Sequence, residues 1–198
     1  MSYLVAVSAP VGGGKSSLVS GLSERLSDAA AIYFDSYETL TRRPIEEIRR
    51  WMEAGADIQD LVIPGLPEDI DRLRGGKAVV DPLTGREVAP AKYILFETPF
   101  ARLHAATGAH IDLAIWIDTP LDVALARNIR ELADRPEMQR DFVPWLRAYL
   151  DSYLRVVHDL LRMQQEAVGA AADLVLDGQE PLDTNLRRAE EEILSRLP

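Results

Sequence analysis

The sequence predicts an α/β protein with a five-stranded parallel sheet and helices on both of its faces. Short apolar runs rich in β-forming residues alternate with longer segments whose apolar residues recur every three or four positions. This alternation of strands and helices is typical of a parallel sheet covered on both sides. Four of the five strands also end at a glycine loop or an acidic residue that could contact a ligand.

The five predicted strands are short and are bounded by turn or acidic residues. They span residues 3–8, 30–34, 93–96, 111–117 and 173–176. A glycine cluster follows the first strand, and Asp35, Glu97 and Asp118 end the next three. Because parallel sheets bind ligands beyond the carboxyl ends of their strands, we expect these groups to lie close together.

The predicted helices carry apolar residues at helical spacing. They span residues 15–26, 44–52, 67–74, 121–132, about 141–168 and 182–197, with a helical turn at 100–106. Pro44 and Pro144 lie near the starts of two of them, where proline is tolerated. Residues 77–88 contain a Pro-Leu-Thr-Gly turn and are predicted to form a hairpin or a small irregular insertion.

Length and composition limit the classes of protein that fit. A chain of 198 residues fits one domain, residues 1–198, and can bury roughly 70% of its unfolded surface. It has no cysteine, which excludes disulfides, thiolate metal sites and thiol nucleophiles. Its 22 basic and 32 acidic residues give a net charge of −10, which argues against nucleic acid as a partner.

The sequence predicts neither a membrane span nor an export signal. The apolar run from Ala89 to Phe96 is interrupted by Lys92, whereas a membrane-spanning helix needs about 20 apolar residues. The N-terminus has no basic start and no long apolar core. We therefore expect a cytoplasmic protein with no membrane partner, and the sequence leaves a homo-oligomer open.

A glycine-rich loop between the first strand and the first helix carries the clearest motif. Residues 9–16 read Ala-Pro-Val-Gly-Gly-Gly-Lys-Ser, which matches the phosphate-binding P-loop pattern except that Ala9 replaces its first glycine. The pattern still fits if Ala9 keeps a negative φ. The predicted nucleotide-binding residues are Pro10, Val11, Gly12, Gly13, Gly14, Lys15, Ser16 and Ser17.

Each part of this loop has a physical role toward a nucleoside triphosphate. The glycines let successive backbone N–H groups turn toward an anion. Lys15 places a positive charge on the β- and γ-phosphates, and Ser16 can ligate Mg²⁺. The N-terminus of the first helix points at the phosphates. The motif predicts a P-loop NTPase-type three-layer sandwich that uses ATP and Mg²⁺.

Further motifs narrow the class of P-loop protein. The Asn-Lys-x-Asp motif of GTPases and the Leu-Ser-Gly-Gly-Gln motif of transporters are both missing from the sequence. Present instead are Phe-Asp-Ser-Tyr at 34–37, Ile-Leu-Phe-Glu at 94–97, Ile-Trp-Ile-Asp-Thr-Pro at 115–120 and Ala-Asp-Leu-Val-Leu-Asp-Gly at 172–178. In this order they resemble the uridine kinase, phosphoribulokinase and nicotinamide riboside kinase group of small-molecule P-loop kinases. The resemblance covers most of the chain.

Two acidic strand ends are candidates for catalysis and metal binding. Asp35 can accept the proton of an acceptor hydroxyl and orient that hydroxyl. Glu97 can hold Mg²⁺ directly or through water, since hard cations prefer carboxylate oxygens. We predict Ser16, Glu97 and Asp35 as the metal-binding residues. The plainer alternatives are a turn cap for Asp35 and a charged strand end for Glu97.

Lys15 and two arginines complete the predicted catalytic set. Arg127 and Arg130 lie three positions apart, on one face of a helix. They resemble the arginines of the family's lid helix, here at about residues 127–140, and can clamp phosphates as the lid closes. Arg135 is a third candidate of this kind. The plainer alternative is a solvated helix face.

The resemblance places the acceptor site in an insertion at about residues 36–90. Asp57 and Asp60 are the candidate carboxylates there, and Tyr37 is a third candidate residue for binding the acceptor. A carboxylate can accept two hydrogen bonds from a vicinal diol, which suits a nucleoside or a sugar. Residues 81–86 lack the histidine and aromatic residues that uridine kinases place over the pyrimidine, so uridine is not predicted.

These observations predict an ATP-dependent phosphotransferase that acts on a hydroxyl of a small metabolite, nucleoside or sugar-like. Two alternatives stay open. One is an ATP-binding regulatory or accessory P-loop ATPase that has no small-molecule acceptor. The other is a nucleoside monophosphate kinase, in which Arg42 and Arg43 would hold the acceptor phosphate.

Overall fold

The computed structural model describes residues 2–39, 45–55, 57–135 and 142–196. The strands in these residues are β1 (Tyr3–Ser8), β2 (Ala29–Tyr33), β3 (Val79–Val80), β4 (Glu87–Val88), β5 (Tyr93–Glu97), β6 (Leu113–Asp118) and β7 (Leu174–Asp177). Five of them form one parallel sheet in the order β2-β5-β1-β6-β7. The predicted α/β fold class is therefore confirmed.

Alternate residues of each central strand face opposite sides of the sheet. In β1, Leu4 and Ala6 belong to one apolar core, whereas Val5 and Val7 belong to the other. The central strand β1 is paired on both edges and buried on both faces. A strand of this kind has an uninterrupted apolar sequence, which is why a short apolar run predicts it.

Helices cover both faces of the sheet. They are α1 (Lys15–Arg25), α2 (Ile45–Glu53), α3 (Leu66–Arg74), α4 (Ala105–Gly108), α5 (Leu121–Ala133), α6 (Phe142–Ser152), α7 (His158–Ala170) and α8 (Leu182–Ser195). Leucines and other apolar residues of α1 and α8 fill the core on one face, and those of α3 and α7 contribute to the core on the other. In the described part of the chain, no helix has the length and apolar character needed to cross a membrane.

The helix predicted at about residues 141–168 is interrupted in the structure. Between α6 and α7, residues Tyr153–Val157 form a π-helical segment. Its buried residues, Tyr153 and Val156, keep the spacing of three that an α-helix also shows. Apolar spacing therefore predicts helix here without revealing the local change in hydrogen bonding.

A small hairpin lies beside the edge of the main sheet. β3 and β4 pair antiparallel, with Val79 opposite Val88 and Val80 opposite Glu87, which confirms the predicted hairpin. β4 lies against β2, the strand at the edge of the five-stranded sheet. The hairpin therefore stands next to the carboxyl end of β2, where Asp35 lies.

Candidate functional site

The glycine-rich loop joins β1 to α1 and packs closely against α5. Gly12 has φ +76° and Gly14 has φ +100°, a conformation that side chains with a Cβ rarely adopt. A Cβ on Gly12 would lie 2.2 Å from the backbone oxygen of Ala124, so only glycine fits there. Ala9 is not among the described residues with positive φ, which meets the condition for alanine at the first position of the motif.

Lys15 is held by the loop that carries it. Its Nζ donates to the backbone oxygens of Ala9 at 3.2 Å and Pro10 at 3.4 Å. Burial lowers the pKa of the Lys15 amine, while the nearby carboxylates of Glu97 and Asp35 oppose this shift. The structure therefore brings together the cation and the two acidic residues that the sequence singles out.

Ser16 and Glu97 meet between the loop and the end of β5. The Ser16 hydroxyl donates a hydrogen bond of 3.2 Å to Glu97 Oε1, and the other oxygen, Oε2, is buried and has no hydrogen-bond partner in the described part of the chain. Burial raises the pKa of Glu97, although Lys15 and the Ser16 hydrogen bond act in the opposite direction. An unpaired buried carboxylate oxygen beside a serine hydroxyl fits a hard divalent cation such as Mg²⁺.

The described residues 2–39, 45–55, 57–135 and 142–196 contain no group of three or more His, Asp or Glu side chains that could hold a metal ion. A divalent cation at this site would therefore depend on Ser16, on Glu97 and on oxygens of the bound nucleotide. This arrangement is usual for Mg²⁺, which keeps several waters and commonly binds through one or two carboxylates plus phosphates.

Asp35 lies in a single 3-10 turn, Phe34–Ser36, directly after β2. The parallel register sets Tyr33 of β2 opposite Glu97 of β5. The turn that carries Asp35 begins at the next residue of the chain, so it lies beside the end of the strand that carries Glu97. Partial burial raises the pKa of Asp35, with a further rise from Glu38 and an opposing effect of Lys15. A carboxylate with a raised pKa is a better proton acceptor at neutral pH than an ordinary aspartate.

Two cavities meet at Ser16. The first, of about 500 Å³, is lined by residues 12–18 of the glycine-rich loop and α1, by Arg127 and Arg130 of α5, and by the loop after β7 at Gly178. The second, of about 690 Å³, is lined by Asp35, by Glu97 and by the β3–β4 hairpin. Ser16 lines both cavities.

The arginines of the predicted lid differ in their surroundings. Arg127 Nη1 donates to the backbone oxygen of Gly178 at 2.8 Å, and Arg130 is exposed on the wall of the first cavity. Arg135 Nη2 instead pairs with Glu131 Oε1 at 2.7 Å, as a solvated helix face predicts. Residues 136–140 of the predicted lid lie outside the described residues.

The residues predicted to bind the acceptor do not line either of these cavities. The Tyr37 side chain is buried, and its hydroxyl donates to Asp69 Oδ2 at 2.9 Å. Asp57 Oδ1 accepts from the backbone N–H of Gln59 at 2.9 Å, and Asp60 is exposed. Their roles toward an acceptor stay predictions. Arg42 and Arg43 lie outside the described residues.

The hairpin supplies a residue that the sequence reasoning missed. Asp81 is buried, and its Oδ1 accepts from the Leu83 N–H at 3.0 Å and from the Thr84 N–H at 2.8 Å. Burial opposes ionisation of Asp81, but these hydrogen bonds and the nearby Ser36 hydroxyl together lower its pKa. The hairpin therefore lies beside the turn that carries Asp35, and both line the second cavity. The Asp-Pro-Leu-Thr-Gly sequence predicts the local turn but not this placement.

Several solved structures share this fold. The chain aligns over 100% of its length with 97% of a shikimate kinase from Acinetobacter baumannii in complex with shikimate, at 18% identity and a TM-score of 0.52. It aligns over 98% of its length with 95% of an unliganded sugar kinase from Janibacter sp. HTCC2649, at 14% identity and a TM-score of 0.52. A possible uridine kinase from Bacillus stearothermophilus aligns over 89% of both chains, at 16% identity and a TM-score of 0.48.

At identities this low, the first two alignments show that the fold is shared, but they do not show that the reaction is shared. The third alignment has the lower TM-score of 0.48 and supports no conclusion. The sequence matches no protein-family model and no curated protein. The fold is therefore an α/β fold with a parallel sheet and a glycine-rich loop after β1, and a shikimate kinase and a sugar kinase share it.

Proposed function

We propose that the protein is an ATP- and Mg²⁺-dependent kinase that transfers the γ-phosphate of ATP to a hydroxyl of a small metabolite. The observation that carries this proposal is the meeting of the two cavities at Ser16. The first cavity has the P-loop and two arginines, and the second has the acidic pair Asp35 and Glu97. A kinase needs a nucleotide and an acceptor on opposite sides of the transferring phosphoryl group.

On the nucleotide side, the P-loop N–H groups and Lys15 bind the phosphates, and Arg127 and Arg130 add positive charge from α5. Mg²⁺, held by Ser16 and Glu97, would neutralise charge on the β- and γ-phosphates. Lys15 can take this role because its hydrogen bonds to the backbone oxygens of Ala9 and Pro10 keep its amine at the loop that binds the phosphates.

On the acceptor side, Asp35 accepts the proton of the attacking hydroxyl. The oxygen of that hydroxyl forms the new bond to phosphorus, the bond from phosphorus to the bridging oxygen of ADP breaks, and the proton goes to the Asp35 carboxylate. The raised pKa of Asp35 suits this step. A protein that only switches with bound ATP has no use for an acidic second cavity.

The direct test is to incubate the protein with γ-labelled ATP, Mg²⁺ and pooled small metabolites, and to identify the compound that carries the label afterwards. The proposal expects label in a new organic phosphate ester, and expects none with Lys15→Ala, which lacks the charge that the phosphates need. Release of free phosphate alone, from every pool, would instead support the regulatory ATPase.

A further inference from the structure

We infer that the acceptor is a small polyhydroxylated compound without a phosphate, a carboxylate or an aromatic base. This inference rests on the proposed function and concerns the second cavity, between the edge strand β2 and the β3–β4 hairpin. Its volume of about 690 Å³ is in the range of small-molecule sites. The charges, the shape of the wall and the free polar groups of this cavity each support the inference.

The cavity is strongly acidic. Among the described residues, its lining includes one cationic residue, Arg86, and four carboxylates on the side of the hairpin and the Asp35 turn: Asp35, Asp81, Glu87 and Glu97. A fifth carboxylate, Asp28, lines the far end of the cavity, before β2. Like charges brought together in a partly enclosed site repel each other strongly. An acceptor that already carries a phosphate or a carboxylate would meet this repulsion at the place where Asp35 must take a proton. The charge balance therefore disfavours a nucleoside monophosphate or a hydroxy acid as acceptor.

Three of these carboxylates already have partners. Asp81 accepts hydrogen bonds within the hairpin, Glu97 accepts a hydrogen bond from Ser16, and the positive charge of Lys15 acts on Asp35. Asp28 and Glu87 are exposed on the outer wall, and their side chains make no hydrogen bond or ion pair with the described part of the chain. Carboxylates accept hydrogen bonds only, and neighbouring hydroxyls of a polyol are matching donors.

The apolar part of the wall is mostly aliphatic. It is lined by Ala29, Ala30 and Ala31 of β2, by Ala89, Pro90 and Ala91 after β4, and by Leu83 and Val88 of the hairpin. The aromatic residue in the lining is Tyr33, which is 36% exposed, and no second ring stands opposite it among the lining residues. A flat base is usually bound by stacking on aromatic side chains, whereas small side chains suit the C–H faces of a saturated ring or chain.

Arg86 is the lining residue whose charge would favour an anionic acceptor. Its guanidinium makes no hydrogen bond or ion pair with the described residues, and its backbone neighbour Glu87 lines the same cavity. The two residues form a matched pair for an experiment. A polyol would gain hydrogen bonds from unpartnered carboxylates such as Glu87, whereas a phosphate or carboxylate would gain most from Arg86.

The experiment divides the acceptors into three pools: neutral and amino sugars with other polyols, nucleosides, and the phosphates and carboxylates related to both. Each pool is incubated with the full-length protein, Mg²⁺ and γ-labelled ATP. The inference expects an organic product from the polyol pool. A product only from the nucleoside pool or the anionic pool overturns the inference and leaves the proposed kinase function standing. No organic product from any pool overturns the proposed function as well.

A binding measurement without turnover gives the second readout. Calorimetry with the ADP-loaded protein and the best polyol of the panel is repeated with Glu87→Gln and with Arg86→Gln. The inference expects Glu87→Gln to weaken binding by about tenfold, the loss of a hydrogen bond to a charged group, and Arg86→Gln to change it by less than about threefold. The reverse order, with Arg86→Gln the damaging change, would overturn it. Unchanged melting curves confirm that both variants fold.

Discussion

The Ser16 hydroxyl lies 3.2 Å from Glu97 Oε1 and donates a hydrogen bond to it. This contact joins the first turn of α1 to the end of β5 through two residues that lie 81 positions apart in the chain. It holds a hydroxyl and a buried carboxylate together at the boundary of the two cavities. The same pair is therefore suited to bind the divalent cation on which phosphoryl transfer depends.

Replacing Glu97 by glutamine tests this metal site. An amide oxygen carries no net charge, so Glu97→Gln should raise the Mg²⁺ concentration for half-maximal rate by roughly 10- to 100-fold. Glu24→Gln, on the exposed side of α1, is the matched control and should leave the requirement unchanged. An unchanged Mg²⁺ requirement in Glu97→Gln would show that Glu97 does not bind the metal and is only a charged residue at the end of a strand.

The pH dependence of kcat/KM tests Asp35 as the proton acceptor. Partial burial raises the pKa of Asp35, and only the ionised form can accept a proton. Activity should therefore fall as the pH drops through a value above the usual aspartate pKa of about 3.9. Glu97, whose pKa is also raised by burial, contributes to the same limb. An acid limb at or below the ordinary aspartate value would contradict the assignment, provided that circular dichroism shows folded protein throughout.

Replacing Arg130 tests the role of the predicted lid in ATP binding, and replacing Arg135 on the same helix is the control. Arg130 is exposed on the wall of the first cavity, so Arg130→Ala should raise the KM for ATP and lower kcat by about tenfold or more. Arg135 pairs with Glu131 on the helix surface, and Arg135→Ala should change both constants by less than about threefold. Steady-state kinetics distinguishes these results, and equal effects would contradict the division of roles.

Gln164 of α7 tests how the P-loop is anchored. The side chain is buried, and its Nε2 donates to the backbone oxygens of Pro99 at 2.5 Å and Ala9 at 3.4 Å. Gln164→Leu should lower the free energy of unfolding by about 1–3 kcal/mol, because it leaves a buried carbonyl without its donor. Urea unfolding measures this loss.

The neighbouring residue Gln165 provides the control for that measurement. It is only partly buried, and its Nε2 bonds the Asp118 carboxylate at the surface. Gln165→Leu should therefore change stability by about 0.5 kcal/mol or less. Equal losses in the two variants would show that the anchoring bonds of Gln164 add nothing beyond those of an ordinary helix surface residue.

The fold and the nucleotide side of the site follow closely from the sequence. Apolar runs such as β1 predict the buried strands because both faces of the sheet are covered, and local spacing is enough to predict them. The glycine-rich loop is predictable for a similar reason, since Gly12 and Gly14 mark positions where φ is positive, and at Gly12 the chain also approaches α5. The convergence of Asp35 and Glu97 follows from strand ends in a parallel sheet.

The acceptor side depends on contacts between distant segments and was not predictable in the same way. Sequence spacing does not reveal that Asp81 of the hairpin and Ser36 of the Asp35 turn line the same cavity. The orientation of Tyr37 toward Asp69 of α3 is likewise decided by tertiary packing. A two-residue strand such as β4 has too little pattern to indicate which cavity it will line.

The most direct test of the two-cavity account compares nucleotide binding with phosphoryl transfer in Asp35→Asn. The account predicts an ATP dissociation constant within about threefold of the wild type, since Asp35 lies on the wall of the second cavity. It also predicts that transfer to the acceptor falls by about 10²–10⁴, the contribution of a positioned general base. Full transfer activity in Asp35→Asn would contradict the account, as would a loss of transfer that only follows a loss of ATP binding.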